Sequence, residues 1–592
     1  MLETDGSGRW KCRDSGVRSD IYNGELFDGN FTASGVFDAV KLDHPKDILV
    51  ATEAEPVRKR EVFRPVKVWK NAKGEQLVDF GQNLAGWVKV KVKGKKGDTL
   101  RLYHAELLDA AGNFYTGNLR AAKAMDSYVL DGNRRELEPH FTYHGFRYVK
   151  VEGMDVADVE MEAVALYSAM AETGSFACSD AMLNQLHSNI LWGLKGNFLE
   201  IPTDCPQRSE RLGWTGDAQV FARTATYLMD TRRFYAKWLR DVAADQGPNG
   251  SVPTYVPRLS PGEPNVRSAM GWGDAAVIMP WEHFRSYGDT SILREQYPSI
   301  RKWIGFLESQ KTADDRLGLR GYGDWYAMGD STSLPYINQC FFIHSVKLAG
   351  RIADVLGKRE DVTYYRGLGG KLQLAFDRYY SGLDTKATST QTALLLALQF
   401  DLLPEERRQS VADRLAGIIK ANGDRLATGF LGTPYLLPVL SRFGHTALAY
   451  RLLLQRECPS WLYPITRGAT TVWERWDAIR PDGSIQETSF NHYSYGAVGE
   501  WLYENILGIK PLEPGFRSFE VRPELGGGLS WAKGSYVSAF GKIVSDWKLE
   551  KGGMFVLKVE VPVGTAARVW LPGDASAKVL ESGKYTFRKK LD

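Results

Sequence analysis

Apolar and charged side chains alternate in the first third of the chain. Residues 88–93 read VKVKVK and are followed by the turn-like run GKKG at 94–97. A period of two residues predicts a β-strand with one buried face and one solvated face. Residues 146–151, FRYVKV, repeat the pattern, so residues 61–172 are predicted to form an accessory β-sandwich domain.

The pattern changes to a helical period between residues 175 and 510. Start and stop signals place twelve helix beginnings near Ser179, Asp217, Thr231, Ala275, Thr290, Pro335, Glu360, Ser389, Pro404, Thr433, His445 and His492. Twelve helices in pairs predict an (α/α)6 barrel, a ring of inner and outer helices whose loops form a pit at one end. After residue 511 the strand period returns, as in LKVEV at 557–561.

These changes of period predict a multidomain α+β protein, with a central (α/α)6 barrel flanked by an N-terminal β-sandwich region and a C-terminal β-sandwich domain. The predicted domains are a partial N-terminal β-domain at 1–60, the accessory β-sandwich at 61–172, the catalytic barrel at 173–510 and the C-terminal β-sandwich at 511–592.

Charge and cysteine usage exclude several classes of function. The 592 residues include 75 basic and 71 acidic side chains, which argues against nucleic acid or an anionic membrane as a partner. The five cysteines have no short spacing, so neither a disulfide framework nor a zinc site is predicted. The polar start of the chain lacks an apolar leader segment, which predicts a soluble protein and favours the cytoplasm.

A dense cluster of charge occupies residues 203–217, TDCPQRSERLGWTGD. Pro206, Gly213 and Gly216 mark it as an irregular loop, which is where catalytic groups often lie. An ion-pair network that only holds the loop together would show the same residues. From the residues alone, the catalytic and the structural interpretation are equally favoured.

The run DCPQRSERLGWTGDAQ resembles the signature loop of the inverting α-L-rhamnosidases, glycoside hydrolase family 78. The resemblance implies that Glu210 is the general acid and that Asp204 and Asp217 hold sugar hydroxyls. Family members often carry an acidic residue where this chain has Ser209. The pieces 79–87 and 141–148 resemble the accessory β-domain of the same family, and 19–28 resembles the end of a further β-domain.

A second carboxylate is needed, because glycoside hydrolysis uses two carboxyl groups in opposite protonation states. The segment 470–477, TTVWERWD, resembles the family segment that carries the general base, which assigns that role to Glu474. Glu487 and Asp274 would serve equally well on chemistry alone. In the structural interpretation, Glu474 would only pair with Arg475 inside a Trp-Arg-Trp stack.

Rhamnose has hydroxyls that suit charged partners and a methyl group that suits an apolar wall. The residues predicted to bind the sugar are Asp204, Arg208, Asp217 and His492 on the polar side, and Trp214, Trp272, Trp325 and Trp473 on the apolar side.

The predicted function is inverting hydrolysis of terminal non-reducing α-L-rhamnose from glycosides or polysaccharide side chains. The alternatives are another (α/α)6-barrel glycosidase and an inactive carbohydrate-binding relative. The partner is then a rhamnose-containing glycoside. No phosphate loop or metal-ligand spacing occurs, so no cofactor and no metal are predicted. The leaving group and the oligomeric state stay open.

Overall fold

A computed structural model of the protein describes residues 10–40, 42–260 and 267–591. β-strands dominate up to residue 178, helices dominate from 181 to 506, and strands return from 509 onwards. This order agrees with the predicted multidomain α+β class. Residues 1–9, which the sequence assigned to the partial N-terminal β-domain, lie outside the described residues.

The N-terminal region is one extended sheet with a small two-stranded addition. Its strands are β1 Lys11–Cys12, β2 Val17–Asp20, β3 Gly24–Asp28, β4 Phe37–Asp38, β5 Val57–Phe63, β6 Lys67–Lys70, β7 Gln76–Val92, β8 Thr99–Ala105, β9 Met125–Val129, β10 Arg135–Leu137, β11 His144–Glu152 and β12 Val159–Ser168. Among the described residues, ten of them pair in the order β2-β3-β9-β8-β11-β7-β12-β5, with β6 and β10 also on β7. The predicted alternation is confirmed, since Val88, Val90 and Val92 are buried while Lys91 and Lys93 are exposed.

The hairpin β2–β3 shares a sheet with strands of the region 61–172. The predicted boundary at residue 60 stays a prediction. In the structure β3 runs parallel to β9, with Leu26 opposite Ser127, so the hairpin extends the sheet of the accessory domain. The buried carboxylate of Glu25 ties the hairpin to the segment before β11 by accepting hydrogen bonds from the backbone N–H groups of His140 and Phe141.

The helices are α1 Ala181–Asn197, α2 Thr215–Leu228, α3 Arg232–Asp245, α4 Ala275–Tyr287, α5 Thr290–Ser309, α6 Leu334–Val355, α7 Arg359–Tyr379, α8 Gln391–Gln399, α9 Glu405–Ala421, α10 Thr433–Arg442, α11 Thr446–Leu453 and α12 Tyr463–Thr466. A final helical segment joins a 3-10 turn at Ser494–Val498, α13 at Gly499–Trp501 and a π-helical turn at Leu502–Ile506. All twelve predicted starts lie within two residues of an observed start. The sequence missed α12, a single turn that is too short to show a period.

Helix burial alternates along the chain. All residues of α2 are buried, whereas α7 buries one stripe that includes Leu368, Leu372 and Phe376. The two helices differ in this way because only a helix that faces solvent on one side needs a polar face. In the described part of the chain, no helix is both long enough and apolar enough to cross a lipid bilayer.

The C-terminal strands are β16 Ile509–Pro511, β17 Ser518–Val521, β18 Trp531–Ser538, β19 Gly541–Glu550, β20 Met554–Val561, β21 Ala566–Val569, β22 Lys578–Leu580 and β23 Gly583–Lys590. An earlier strand, β13 at Gly174–Cys178, pairs with β18. Within the described residues it completes a five-stranded sheet, β13-β18-β19-β20-β23, so the chain enters α1 from the C-terminal sheet. The alternation at 557–561 is confirmed, because Leu557, Val559 and Val561 are buried.

Candidate active site

The charged loop at residues 203–214 follows a short hairpin, β14 Phe198–Leu199 and β15 Ile201–Pro202, and leads into α2. It is closed by Asp204, whose carboxylate accepts a hydrogen bond of 2.9 Å from Leu212 N while its own N–H donates to Leu212 O. Arg211 has a φ of +56° and turns away from the carboxylates, donating to the backbone oxygens of Ile21 and Tyr143. Arg211 therefore anchors the loop to the β-rich region.

Arg208 lies at the centre of the site, with its side chain 4% exposed. Its Nε lies 2.7 Å from Glu210 Oε2, its Nη1 lies 2.8 Å from Glu474 Oε2, and its Nη2 lies 3.3 Å from Asp204 Oδ2. One buried guanidinium thus brings together two loops that are 264 residues apart in the chain. Arg208 is the residue that fixes the relative position of Glu210 and Glu474.

Glu474 lies in an extended segment that runs beside the entry to the last helical segment. Val472 bridges to His492, and Glu474 N donates to Ser489 O. Its Oε2 also accepts hydrogen bonds of 2.8 Å from Thr488 Oγ1 and 2.9 Å from Ser489 N. Burial opposes the charge, but Arg208 and these donors lower the pKa of Glu474 to about 2.

The two aspartates behave in the opposite way. Burial, followed by the neighbouring charge of Glu210, raises the pKa of Asp204 to about 7. Burial also raises the pKa of Asp217, although its hydrogen bond from His492 acts against this. His492 Nδ1 faces the N–H groups of Tyr493 and Ser494, so the ring donates from Nε2 to Asp217 Oδ1 over 3.1 Å.

Aromatic side chains form one wall of the cavity, and Tyr322 lies at its centre. The Tyr322 ring is 5.9 Å from Trp214, 4.8 Å from Trp272 and 6.0 Å from Trp325, between ring centroids. Trp272 is buried, yet no described residue accepts a hydrogen bond from its Nε1. A buried donor without a protein partner at a cavity wall is suited to a hydroxyl of a bound ligand.

A half-buried carboxylate to which the sequence analysis gave no role holds this wall in place. Asp324 accepts hydrogen bonds from the backbone N–H groups of Gly429, Leu431 and Gly432, at 2.7, 2.8 and 3.1 Å, just before α10 begins. Phe430 N in turn donates to Trp325 O. Asp324 therefore ties the loop of Trp325 to the loop of Phe430.

Nine of the ten predicted site residues line a single cavity. They are Asp204, Arg208, Glu210, Trp214, Asp217, Trp272, Trp325, Glu474 and His492, joined by Arg120, Tyr322, Tyr326 and Phe430, which were not predicted. Tyr322 could have been found from its place in the glycine-flanked loop of Trp325. Arg120 has no such local signal, because it comes from the β-rich region.

The tenth residue, Trp473, does not reach this cavity. It is 5% exposed and packs edge-to-face on Phe490 at 5.1 Å. Its neighbour Glu474 faces the cavity, and successive side chains of an extended segment point to opposite sides. The apolar wall of the cavity therefore includes three of the four predicted tryptophans. Trp473 instead packs on Phe490, away from the cavity.

The alternative carboxylates occupy other places. Asp274 is fully buried behind the site, where it accepts hydrogen bonds from Ser345 and from Gly271 N. Glu487 is exposed and lies 3.3 Å from Arg120. Arg475 pairs with Asp477 at 2.9 Å, so the purely structural pairing of Glu474 with Arg475 is not formed.

Two clusters in the described residues bring metal-ligating atoms within 4.8 Å of one another. In the first, Asp204 and Glu210 lie beside Cys205, but Arg208 already supplies the positive charge there. In the second, His104 and His144 flank Asp126 with their rings stacked at 4.1 Å and 21°.

Three family models match the chain. The bacterial α-L-rhamnosidase concanavalin-like domain matches residues 69–167, the bacterial α-L-rhamnosidase 6 hairpin glycosidase domain matches residues 171–506, and the bacterial α-L-rhamnosidase C-terminal domain matches residues 508–586. Together they cover the β-rich, helical and C-terminal regions in chain order.

Similar proteins agree with these matches. An α-L-rhamnosidase of Streptomyces avermitilis is 42% identical over 95% of this chain, and the chain spans 56% of the length of that relative. The crystal structure of a Streptomyces avermitilis α-L-rhamnosidase complexed with L-rhamnose superposes with a TM-score of 0.92 at 39% identity, covering 97% of this chain and 59% of that chain. The structure of the Aspergillus terreus α-L-rhamnosidase also gives 0.92, at 37% identity, covering 99% of this chain and 71% of that chain. The chain belongs to the bacterial α-L-rhamnosidase family, glycoside hydrolase family 78.

Proposed function

We propose that the chain hydrolyses terminal α-L-rhamnosides with inversion at the anomeric carbon, Glu210 acting as general acid and Glu474 as general base. The observation that carries the proposal is the single guanidinium of Arg208, which contacts both glutamates in a cavity walled by aromatic rings. Relatives that are named α-L-rhamnosidases, one of them solved with L-rhamnose, support rhamnose as the sugar.

The surroundings of Glu474 suit a base. With a pKa of about 2 it stays ionised at neutral pH and accepts a proton only from a water that is already attacking the sugar. In an inverting glycosidase this water lies between the base and the anomeric carbon, which separates the two carboxyl groups by about 6.5–9.5 Å. The Arg208 guanidinium contacts both Glu210 and Glu474 and so keeps the two carboxyl groups from direct contact.

The clustered carboxyl groups of the site should together hold a proton near neutral pH. Three carboxylates surround Arg208, and a fourth, Asp217, lines the same cavity. Because like charges in a buried cluster disfavour full ionisation, at least one of these groups holds a proton more readily than a free carboxyl group does. The raised pKa of Asp204, about 7, reflects this. A cluster of this kind can supply the proton that a leaving oxygen requires.

The helical region supports a closed (α/α)6 ring around this cavity. Helix α2 packs on α4, α4 on α6, α6 on α8, α8 on α10, α10 on the final segment that begins at Ser494, and that segment on α2. The remaining long helices pack outside their partners, as α5 does on α4 and α7 on α6. The cavity lies at the ends of the inner helices, where Thr215 begins α2.

One comparison of substrates tests the function. The chain should hydrolyse an aryl α-L-rhamnoside and should leave the matching α-D-mannoside and α-D-glucoside almost untouched. Faster hydrolysis of the α-D-mannoside or the α-D-glucoside would show that this sugar, and not rhamnose, is the substrate. Binding of L-rhamnose without turnover of any of the three would show an inactive carbohydrate-binding relative.

A further inference from the structure

A positive charge reaches the cavity from outside the helical region. Arg120 lies in the loop between β8 and β9, with its side chain 41% exposed. Its Nη1 lies 2.5 Å from Glu210 Oε2 and its Nε lies 3.3 Å from Glu487 Oε1. The guanidinium therefore links Glu210, at 13% side-chain exposure, to Glu487 at the rim, at 64%.

The backbone of this loop is fixed on the signature loop. Ser209 N donates to Leu119 O over 3.4 Å, and Ala121 N donates to Ser209 Oγ over 3.2 Å. Arg120, between these contacts, has a φ of +54°, a conformation that residues with a side chain rarely adopt. The backbone of Arg120 is thus held in register with Glu210, while its half-exposed side chain is free to change partner.

Both arginines contact the same oxygen of Glu210, Arg120 through Nη1 and Arg208 through Nε, but they differ in burial and in their other partners. Arg208 is buried and also holds Glu474, so it marks the side of the sugar where water is activated. Arg120 lies towards the open rim with Glu487. The leaving group must enter from the open rim, because Arg208 and Glu474 fill the buried part of the cavity next to Glu210. Arg120 therefore occupies the place that the leaving group needs next to Glu210.

We propose, building on the function proposed above, that Arg120 is a positioning residue that controls the protonation of Glu210. In the structure its guanidinium pairs with Glu210, and a neighbouring positive charge favours the carboxylate. When the leaving group enters, Arg120 stays on Glu487 and its contact with Glu210 is broken. Glu210, still in contact with Arg208, then takes up a proton from hydronium in the solvent and delivers that proton to the glycosidic oxygen as the bond to the sugar breaks.

Several charged and titratable groups face Glu210 from the elements packed around it. They are Asp204, Cys205 and Arg208 from its own loop, Arg120 and Tyr22 from the β-rich region, Glu474 and Glu487 from the loop at 472–491, and Asp217 with His492 at the bottom of the cavity. Among them, Arg120 and Glu487 are the pair at the rim, so their removal tests the switch and leaves the buried groups in place.

The test is the pH dependence of kcat/KM for an aryl α-L-rhamnoside in a set of matched variants. Arg120→Ala should move the alkaline limb of the kcat/KM profile to higher pH by roughly one unit. This is the lower end of the pKa shift that a neighbouring opposite charge causes in a carboxyl group. Arg120→Lys should keep the limb near its wild-type position. Lys123→Ala removes the same charge from an exposed position of the same loop and should leave the limb unmoved.

Glu487 provides the second arm. Glu487→Gln should move the alkaline limb to lower pH, because Arg120 is then left entirely to Glu210. In the Arg120→Ala background the same change should have no further effect. A limb that Arg120→Ala does not move would overturn the proposal. Equal shifts by Glu487→Gln in both backgrounds would also overturn it, because Glu487 would then act without Arg120.

A second readout separates this proposal from the proposed function. Trp214 Nε1 donates to Glu210 Oε1 over 3.0 Å, so the indole fluorescence reports the charge of Glu210 without turnover. The signal is taken as the difference between each protein and its Trp214→Phe counterpart. If the wild type fails to hydrolyse the rhamnoside, that result contradicts the proposed function but not the proposal about Arg120. Arg120→Ala should still move the fluorescence titration upwards, and an unmoved titration would contradict the Arg120–Glu210 pair.

Discussion

Two loops meet at Glu210, and they hold their functional residues in different ways. The signature loop at 203–214 places Asp204, Arg208 and Glu210 within seven residues and buries the first two almost completely. The β8–β9 loop, in contrast, contributes the single half-exposed side chain of Arg120. The buried loop fixes where the reacting groups lie, and the exposed loop can respond to what enters. We expect substitutions in the first to abolish turnover and those in the second to change its conditions.

The largest expected effect is at Glu474. Glu474→Ala removes the base and one of the buried partners of Arg208, so turnover should fall by roughly 10⁴, the upper end of what general base catalysis contributes. Added azide should restore part of the rate and yield the β-configured glycosyl azide. The adjacent Trp473→Phe is the matched control and should retain most of the activity, since Trp473 faces away from the cavity. Similar losses in both variants would show that the segment, and not the carboxylate, matters.

Glu210→Gln should have the next largest effect, with a loss of roughly 10²–10⁴. The loss should shrink for aryl rhamnosides, whose leaving groups need little protonation, and should be greatest for alkyl rhamnosides. Glu457→Gln, a change at an exposed carboxylate of the helical region, serves as the control. Equal losses on both classes of substrate would remove Glu210 from the role of proton donor.

A smaller effect is expected where α2 meets the aromatic wall. A Cβ at Gly216 would lie 2.6 Å from the Trp272 ring, so Gly216→Ala should displace the indole. Overpacking of this kind costs about 1–3 kcal/mol of folding stability. Inhibition by free rhamnose should weaken as well, because the displaced indole no longer lines the cavity in the same position. Gly305→Ala, at a helical glycine with no neighbour within 4 Å, should leave inhibition unchanged. Unaltered inhibition in Gly216→Ala would show that Trp272 does not contact the sugar.

The smallest expected effect concerns the pH dependence of kcat/KM, which should show no decline at acid pH. Burial would raise the pKa of Glu474, but Arg208 lowers it to about 2, below its usual value of 4.5. The base therefore stays ionised as the pH falls and gains its proton only near pH 2, so kcat/KM should not decline between pH 6 and about pH 4 while the protein stays folded. Circular dichroism at each pH provides the folding control. A limb near pH 5 in a folded protein would assign the base to another carboxyl group.

The sequence predicted the helices well and the site in part. The physical reason is that some features depend on residues close together in the chain, whereas others depend on contacts between distant segments. Helix starts depend on caps and apolar spacing within a few residues, as at Thr433 and Thr290. Asp204 and Glu210 were predictable because the motif that carries them is continuous. Arg120 was missed because its role depends on how the β8–β9 loop docks on Ser209, a contact between residues that are 88 apart in the chain. Trp473 was misplaced because adjacent residues of an extended segment face opposite sides, and the motif does not reveal which side faces the cavity.

The stereochemistry of the product tests Glu210 and Glu474 together. Proton NMR of an α-L-rhamnoside digest, recorded before mutarotation, shows which anomer forms first. A water activated by Glu474 attacks the face opposite the leaving group, so β-L-rhamnose should appear first and the α-anomer should follow only by mutarotation. Initial release of α-L-rhamnose would show that a carboxylate attacks the sugar directly to form a covalent intermediate, and it would contradict the role of Glu474 as a base acting through water.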